Sequence, residues 1–520
     1  MTANRRIFLN VIATYGRSLL SLGAGIFTSR WVLSALGSES YGVYGVVGVI
    51  LMFVGMIDGL LSASVSRYYA FAIGEIQVSR DQEGAVEECR QWFNSALVIH
   101  VVAALVIVPI AISSGLWAIE NYFNIPESLK ETTNWVLIFS VASVVTGLVC
   151  APFRAMYVAQ QLIAELTIYS VATTILNFVC AFALLRFGGD KLFLHSLYSS
   201  ILIIAPAVVI AVRGVIKFPY CKIALKRYFS RTKIRQILSF AGWQLVGWLG
   251  MTLRAQGIAI IVNKLMGVAY NSTMTLTNTI NGHVGALSNS LTGAFAPAVT
   301  NAAGASNREG VFALSLNACR FGMVLCGLFA IPLSLEIDYV LNLWLTNPPP
   351  QLAVLSVCMM IVLMLEKSTG GILTAILASG NIKAHEIWHC VLFILSLLLC
   401  YVFVGFCSMG MVGVGASFIA YALAFVVLRV VLWRTQLHYP CRPWVLQTIR
   451  FLVVSGVSIA VPLLIQHLMK PSFSRLCCSA MAFAVSYSIL CYWVLIEKDE
   501  RTILGLRVRG KVKNLFGITC

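Results

Sequence analysis

Long apolar runs separated by short polar turns dominate the pattern of hydrophobic positions along the chain. Most runs exceed the roughly 18 residues that mark a membrane-spanning helix. The pattern predicts helices at residues 8–36, 41–64, 93–117, 134–153, 165–187, 192–213, 237–263, 270–298, 311–334, 352–378, 386–406, 411–433, 446–468 and 475–496. An all-α polytopic membrane protein with about fourteen transmembrane helices is therefore predicted.

Two of the predicted turns have similar sequences. Residues 33–45 read LSALGSESYGVYG and residues 262–273 read VNKLMGVAYNST, so each has a glycine followed within four residues by a tyrosine that opens the next helix. Such an echo is typical of a chain built from two similar halves. The predicted division is an N-terminal six-helix lobe (1–213), a basic linker (214–236), a C-terminal six-helix lobe (237–434), two further helices (435–496) and a basic tail (497–520).

Charge adds a prediction of orientation. The chain is 59% hydrophobic and 11% charged, with a net charge of +17. Residues 213–235, called the basic segment below, carry eight basic residues and no acid. Because cytoplasmic loops are enriched in Lys and Arg, this segment and both termini are predicted to be cytoplasmic. In this setting the positive charge indicates topology and contact with lipid head groups, and no nucleic-acid partner is expected.

Ionisable side chains inside predicted helices are the candidate functional residues, because they are costly at membrane depth. The candidates for substrate binding are Arg17, Arg254, Lys367, Arg320 and His283. Asp58 and Glu366 are the candidates for ion or proton coupling. Arg17 and Arg254 lie on the first helix of each half, and an arginine fork suits a diphosphate group.

Most of these candidates also have a structural explanation. Arg17 and Asp58 lie at similar depth and could form an ion pair. Glu366 and Lys367 could form ion pairs with other helices, and Arg320 could extend its head group to the cytosol. These alternatives remain open at the level of the sequence.

Three polar or aromatic positions have the same ambiguity. His283 could relay protons or bind sugar, or it could form a hydrogen bond between helices. Trp243 and Trp248 could stack on sugars or serve as packing aromatics.

The sequence does not predict an enzyme. The chain contains no GxxxxGK[ST] phosphate-binding loop and no CxxC pair among its 15 cysteines. The predicted outer loops are short, whereas a membrane polysaccharide polymerase would be expected to carry a large catalytic outer loop. The protein is therefore expected not to be an enzyme, and no cofactor or metal is expected.

Six stretches of the sequence support a resemblance to a known family. They are residues 10–45, 59–70 (GLLSASVSRYYA), 151–160 (APFRAMYVAQ), 291–304 (LTGAFAPAVTNAAG), 340–345 (VLNLWL) and 375–387 (AILASGNIKAHEI). With these stretches the chain resembles the polysaccharide transporter (O-antigen flippase-like) family of the multidrug/oligosaccharidyl-lipid/polysaccharide (MOP) exporter superfamily.

The resemblance implies a fold and a function. The fold would be two six-helix MATE-like lobes plus two C-terminal helices, working by alternating access. The function would be translocation of a polyprenyl-diphosphate-linked oligosaccharide to the outer leaflet of a bacterial inner membrane through a cationic central cavity, alongside polysaccharide polymerase and chain-length machinery. A lipid II flippase and a cation-coupled MATE drug exporter are the alternatives, and basic groups outnumber acids among the candidates, which favours an anionic cargo.

Overall fold

A computed structural model describes residues 3–121, 123, 125–345 and 348–495, and all regular structure within them is helical. The α-helices are α1 (Ala3–Val78), α2 (Gln82–Asn121), α3 (Glu127–Ala159), α4 (Ile163–Leu184), α5 (Lys191–Lys217), α6 (Leu225–Tyr228), α7 (Arg231–Met266), α8 (Val268–Gly304), α9 (Arg308–Leu335), α10 (Ile337–Trp344), α11 (Leu352–Ser368), α12 (Gly370–Ser379), α13 (Lys383–Tyr401), α14 (Gly410–Thr435), α15 (Arg442–Leu468) and α16 (Phe473–Val494). A short 3₁₀ helix (Pro219–Cys221) precedes α6, and a π-helical turn (Val402–Phe406) extends α13.

Each predicted helix overlaps a helix of the structure, so the all-helical membrane fold is confirmed. Within the described residues, eleven helices are long and apolar enough to cross a membrane, or twelve if the bent pair α11 and α12 is one span. The second part of α1 and the polar helix α8 are helical but are not among these spans. The count of fourteen spans is therefore close but not confirmed, and the predicted basic tail lies outside the described residues.

Three interruptions shape the helices. Gly37 has a φ of 75° inside α1, and Gly267 has a φ of 101° between α7 and α8. Glycine adopts positive φ without steric cost, so both predicted glycine turns occur where the sequence places them. The predicted helix 352–378 is instead broken at Thr369, where α11 and α12 meet at 47°.

The chain divides into two compact units. Unit 1 comprises Met1–Val246, Gly293–Val311 and Leu377–Lys383, and unit 2 comprises Gly247–Thr292, Phe312–Ile376 and Ala384–Cys520. The core of unit 1 centres on fully buried aromatic side chains that include Tyr69, Phe93 and Tyr157. Unit 2 has several smaller cores, among them one around Phe483 and Tyr487. The domains predicted from the sequence are consecutive segments of the chain, whereas each unit combines three segments. The predicted boundaries stay a prediction.

Glycines and one asparagine join the ends of α1, α3 and α8 within unit 1. A Cβ at Gly74 would lie 2.0 Å from the Asn301 carbonyl oxygen, and one at Gly304 would lie 2.0 Å from the Phe71 carbonyl oxygen. The two helix backbones are therefore in direct contact, which only glycine permits at these positions. The Asn301 amide donates to the Ala159 carbonyl (3.2 Å). Two of the stretches that support the family resemblance, 151–160 and 291–304, thus meet in one packed region.

The basic segment is docked on α2 through a buried asparagine. The Asn94 side chain donates to the carbonyls of Arg90 and Lys222 (2.9 Å each) and accepts from the Ala224 amide (2.9 Å). Asn94 is fully buried, as is Cys221 beside it in the segment. Burial raises the pKa of the Cys221 thiol to about 12, so the thiol stays protonated at neutral pH. The segment is therefore a packed element of unit 1.

Half of the basic residues in the segment form ion pairs with acids of unit 1. Arg227 pairs with Glu87 at 3.2 Å, and Lys233 pairs with Glu88. Glu165 forms ion pairs with both Arg213 and Lys217. The remaining four, Lys222, Lys226, Arg231 and Arg235, are exposed. The acidic start of α2 and Glu165 of α4 are thus the partners of the basic segment.

We expect Asn94→Ala to loosen this docking. The substitution leaves a buried carbonyl and a buried amide unpaired, which should lower the free energy of unfolding by about 1 to 3 kcal/mol. Trypsin should then cleave the basic segment faster than in the wild type, as measured by limited proteolysis of membranes with the cytoplasmic face exposed. Asn121→Ala is the matched control, because Asn121 is an exposed residue of the same helix that bonds only to its own preceding turn. Equal cleavage of the two variants would contradict the docking role of Asn94.

Candidate functional site

Unit 2 buries a group of charged and aromatic side chains from four helices, called the charge cluster below. Arg254 comes from α7, and Glu366 and Lys367 come from the end of α11. The remaining members lie on α13 and α14 and are His385, Glu386, His389, Phe393, Phe418, Tyr421, Phe425 and Arg429. Three of the seven residues proposed from the sequence are therefore brought together in one place.

Arg254 is held by aromatic rings. Its guanidinium carbon lies 5.0 Å from the ring centre of Phe393, 4.7 Å from that of Phe418 and 4.5 Å from that of Tyr421. These are cation–π distances, which stabilise a partly desolvated cation. The Nη1 atom of Arg254 is buried without a hydrogen-bond partner, and no carboxylate of the described residues forms an ion pair with Arg254. The guanidinium therefore keeps unused capacity to bind an anion.

Arg429 stabilises the break between α11 and α12. It is 6% exposed, and its Nη1 donates to the Thr369 hydroxyl (3.0 Å) and to the Glu366 carbonyl (3.4 Å). The Trp444 indole donates to the Ser368 carbonyl at 2.7 Å. Carbonyls at a helix end inside a membrane need such partners. The sequence-based candidates do not include Arg429, although a single arginine inside the apolar span 411–433 was an available signal.

Cations outnumber carboxylates in the charge cluster. Glu366 interacts electrostatically with Arg254, Lys367 and Arg429. Lys367 is 9% exposed, and its ammonium group donates to the amide oxygen of Asn289 on α8. With Glu386 as the second carboxylate, the cluster holds three basic side chains and two acidic ones. Its net charge is positive when the histidines are neutral.

The start of α13 carries the side chains of unit 2 that could hold a metal. His385 Nδ1 lies 3.0 Å from one Glu386 oxygen, and His389 Nδ1 lies 3.9 Å from the other. His389 Nε2 forms a 2.7 Å hydrogen bond with the Tyr421 hydroxyl. The three potential ligand atoms all lie within 4.8 Å of one another. Gly247 makes room for them, since a Cβ there would lie 1.9 Å from the Glu386 carboxylate.

The sequence expectation of no metal-ligand set overlooked these residues. Residues 385–389 have the H-E-x-x-H spacing, which places two histidines on one helix face. Histidine and carboxylate are zinc ligands, and the bond from His389 to Tyr421 is the type of outer contact that orients a ligand. The types of these side chains therefore suit a divalent transition metal. Arg429 lies close enough to interact electrostatically with both Glu386 and His389, which opposes a dication.

The predicted pair of Arg17 with Asp58 does not form. Asp58 instead accepts from Arg154 at 3.1 Å, and the Ser62 hydroxyl donates to its other oxygen at 3.1 Å. Arg17 is half-buried and donates to the Ser170 hydroxyl at 3.4 Å. Hydropathy and depth did not reveal that α3 would supply the partner. Arg17 is consequently not neutralised by Asp58.

A cavity of about 500 Å³ lies one helical turn beyond Arg17 in unit 1. It is called the polar cavity below for its hydroxyl and amide groups, although Val32, Leu202 and Ile203 give it apolar surface as well. Ser21 and Thr174, which follow Arg17 and Ser170 by four residues, both line it and form a 3.3 Å hydrogen bond with each other. Most of its other lining residues are small or carry hydroxyl or amide groups: Ala24, Gly25, Thr28, Thr173, Asn177 and Ser199. His195 also lines it and bonds to the Tyr198 hydroxyl at 2.7 Å. None of these lining residues was a candidate from the sequence.

Two proposed site residues lie apart from these features. Arg320 does not extend to solvent, because it is 2% exposed and donates to the Leu495 carbonyl (3.0 Å) and the Asn317 amide oxygen (2.8 Å). His283 is exposed on α8, so it is not a buried histidine between helices. Arg320 therefore has a packing role within unit 2.

Comparison with known proteins extends the description of the fold. No family profile matches the chain. The membrane protein EpsK of Bacillus subtilis (strain 168) is 21% identical over 348 residues, and the chain spans about 65% of the length of this curated relative.

Solved transporter structures share the architecture of most of the chain. A MOP superfamily transporter from Pyrococcus furiosus has a TM-score of 0.69 and 15% identity, with 84% of this chain and 96% of that chain covered. A MATE protein in complex with MaD3S has a TM-score of 0.68 and 16% identity, with 84% and 97% covered. The protein is therefore a polytopic membrane protein with the fold of MATE transporters.

We expect Gly247→Ala to disturb the charge cluster. The added methyl group must displace the Glu386 carboxylate from His385, which should lower the free energy of unfolding by about 1 to 3 kcal/mol. The measurement is thermal unfolding of the purified protein. Gly242→Ala on the same helix is the control, because no atom lies within 4 Å of a Cβ there. In a Glu386→Ala background the cost of Gly247→Ala should largely disappear, and an unchanged cost would show that the carboxylate is not its cause.

Proposed function

We propose that the protein is a flippase that moves a polyprenyl-diphosphate-linked oligosaccharide from the inner to the outer leaflet of a bacterial cytoplasmic membrane. The work would be done by alternating access without covalent chemistry. Its product would then pass to the machinery that polymerises and exports surface polysaccharide. The single observation that carries this proposal is the state of Arg254.

Arg254 combines a buried, unpaired hydrogen-bond donor with an aromatic setting. A buried donor without a partner costs free energy unless a ligand satisfies it. A diphosphate supplies several oxygens for such a guanidinium, and charge-assisted bonds of this kind are among the strong ones. The positive balance of the charge cluster favours the same type of ligand. An anionic head group is therefore the ligand that best suits this site.

The polar cavity of unit 1 fits the saccharide part of the proposed cargo. Hydroxyl and amide side chains are both donors and acceptors, so they can exchange hydrogen bonds with sugar hydroxyls. The cavity begins one turn beyond Arg17, which forms no ion pair with Asp58. No Asp, Glu, Lys or Arg lines it, which suits a neutral saccharide.

A cation-coupled drug exporter is the second candidate, because the chain has the fold of MATE proteins. An organic cation would need an available carboxylate at membrane depth. Within the described spans, Asp58 and Glu165 are engaged by arginine or lysine, and Glu386 bonds to a histidine. Glu366 interacts with three cations. The charge balance thus favours the anionic cargo.

The fold by itself is compatible with a cationic or an anionic ligand. The Pyrococcus furiosus transporter is described as having a binding pocket of reverse polarity that suggests a different function. The lipid II flippases, which the sequence resemblance also suggests, would carry a related diphosphate. The charge of the ligand, and not the fold, separates these functions.

We expect Arg254→Ala to reduce transfer of a fluorescent polyprenyl-diphosphate oligosaccharide in liposomes. Loss of one charge-assisted contact should weaken binding about 10-fold to 150-fold. Arg254→Lys should retain part of the transfer, since lysine keeps the charge but not the planar fork. Lys264→Ala, an exposed cation on the same helix, is the control and should transfer at the wild-type rate.

The competing functions give different results in the same liposomes. Wild-type transfer by Arg254→Ala would overturn the role assigned to this arginine. Efflux of ethidium that is lost in Glu366→Gln or Asp58→Asn would move the assignment to the drug exporters. Polymerisation of the added saccharide units by wild-type protein would contradict transport without chemistry.

A further inference from the structure

A second pocket, with basic residues in its lining, lies within unit 1, away from the polar cavity. Its volume is about 530 Å³. The lining comes from the start of α7 and from the turn between α12 and α13, together with Tyr68 near the end of α1. The orientation predicted from the basic segment places this pocket at the cytoplasmic end of unit 1. It is called the turn pocket below.

Two exposed cations line the turn pocket. Arg235 is one of the four residues of the basic segment that form no ion pair in the described structure, and Lys383 is the first residue of α13. None of its lining residues is acidic. Gln236, Asn381 and Ser239 add amide and hydroxyl groups. The lining therefore combines positive charge with neutral hydrogen-bonding groups.

Arg67 positions the turn that carries Lys383. Its Nε donates to the Leu377 carbonyl (2.9 Å), and its Nη2 donates to the Ala378 carbonyl (3.0 Å). These bonds satisfy carbonyls at the end of α12, where Gly380 turns the chain with a φ of 81°. A Cβ at Gly380 would lie 2.3 Å from Arg67 Nη2, so both the backbone angle and the space require glycine. The turn is thus fixed before any ligand arrives.

Aromatic rings form the remaining walls. The Lys383 ammonium lies 5.3 Å from the ring centre of Trp243, which is half-buried. Phe240 and Tyr68 also line the pocket. Tyr68 is stacked on Trp92 at 4.2 Å and donates to the Gln236 carbonyl at 3.1 Å, so its ring is held in place. Rigid rings beside cations and amides suit a sugar ring that bears a phosphate.

We propose that the turn pocket binds the diphosphate and first sugar of the cargo at the cytoplasmic face before translocation. Arg235 and Lys383 would take the phosphate oxygens, and Trp243 would stack on the sugar. This inference rests on the proposed flippase function and adds a reception site to it. It assigns a role to exposed residues that lie outside the charge cluster and the polar cavity.

The test is calorimetric titration of the full-length protein in phosphatidylcholine nanodiscs. One probe is N-acetylglucosaminyl diphosphate esterified to a short citronellyl chain, and the other is inorganic pyrophosphate. Arg235→Ala and Lys383→Ala should each weaken binding of both probes about 10-fold or more. Trp243→Ala should weaken binding of the sugar ester but leave pyrophosphate binding unchanged. Lys226→Ala and Arg231→Ala, exposed cations of the same basic segment outside the pocket, should bind as the wild type does.

Wild-type affinity in the Arg235→Ala, Lys383→Ala double variant would overturn the proposal. Both side chains are exposed, so misfolding is not expected to obscure the result. Nanodiscs that contain phosphatidylglycerol separate the two sources of phosphate. If that lipid abolishes binding of the sugar ester, a membrane head group is the occupant and the saccharide assignment is wrong.

The turn pocket and the flippase function can fail separately. Probe binding that depends on Arg235 and Lys383, without transfer of the lipid-linked cargo by wild-type liposomes, would leave the pocket standing and reject the flippase. Transfer at the wild-type rate by the double variant would reject the role of the turn pocket and leave the flippase function standing. Transfer that is slowed by the double variant, with binding at Arg254 intact, supports both.

Discussion

Interrupted helices inside a membrane require partners for their free carbonyls, and much of this structure depends on how two arginines meet that requirement. Arg429 donates to the Glu366 carbonyl and the Thr369 side chain at the break before α12. Arg67 donates to two carbonyls where α12 ends. Because these bonds fix both ends of a ten-residue helix, the side chains that flank it also take fixed positions. Glu366 and Lys367 on one side, and Lys383 on the other, are positioned in this way.

Buried cations need partners as buried carbonyls do, and this requirement explains the composition of the charge cluster. A desolvated cation needs a carboxylate, a ring or a ligand. Arg429 has backbone and hydroxyl partners for its Nη1 but none for its buried Nε, and Lys367 has an asparagine. Arg254 has aromatic rings but one buried donor without a partner. The side chains of the cluster thus satisfy most, but not all, of one another's hydrogen-bonding groups.

The stretches that support the family resemblance have a structural explanation. Gly304 allows the backbone of α8 to touch that of α1, and Gly380 accommodates both a positive φ and the Arg67 guanidinium. Asn301 joins α8 to α3. These residues hold unit 1 together and none of them needs to contact cargo. A resemblance carried by such positions indicates the fold more securely than the substrate.

The sequence by itself determined the helical membrane class, the positions of the helices and the glycine turns at Gly37 and Gly267. Hydropathy and positive φ are local properties, so a single stretch of chain is enough to reveal them. Only the tertiary structure decided that Asp58 pairs with Arg154, that α2 receives the basic segment, and that a helix expected to be continuous breaks at Thr369. The H-E-x-x-H set was readable in the sequence, but its contact with Tyr421 was not. Partners for a buried charge come from residues far along the chain, and periodicity carries no information about which distant helix will supply them.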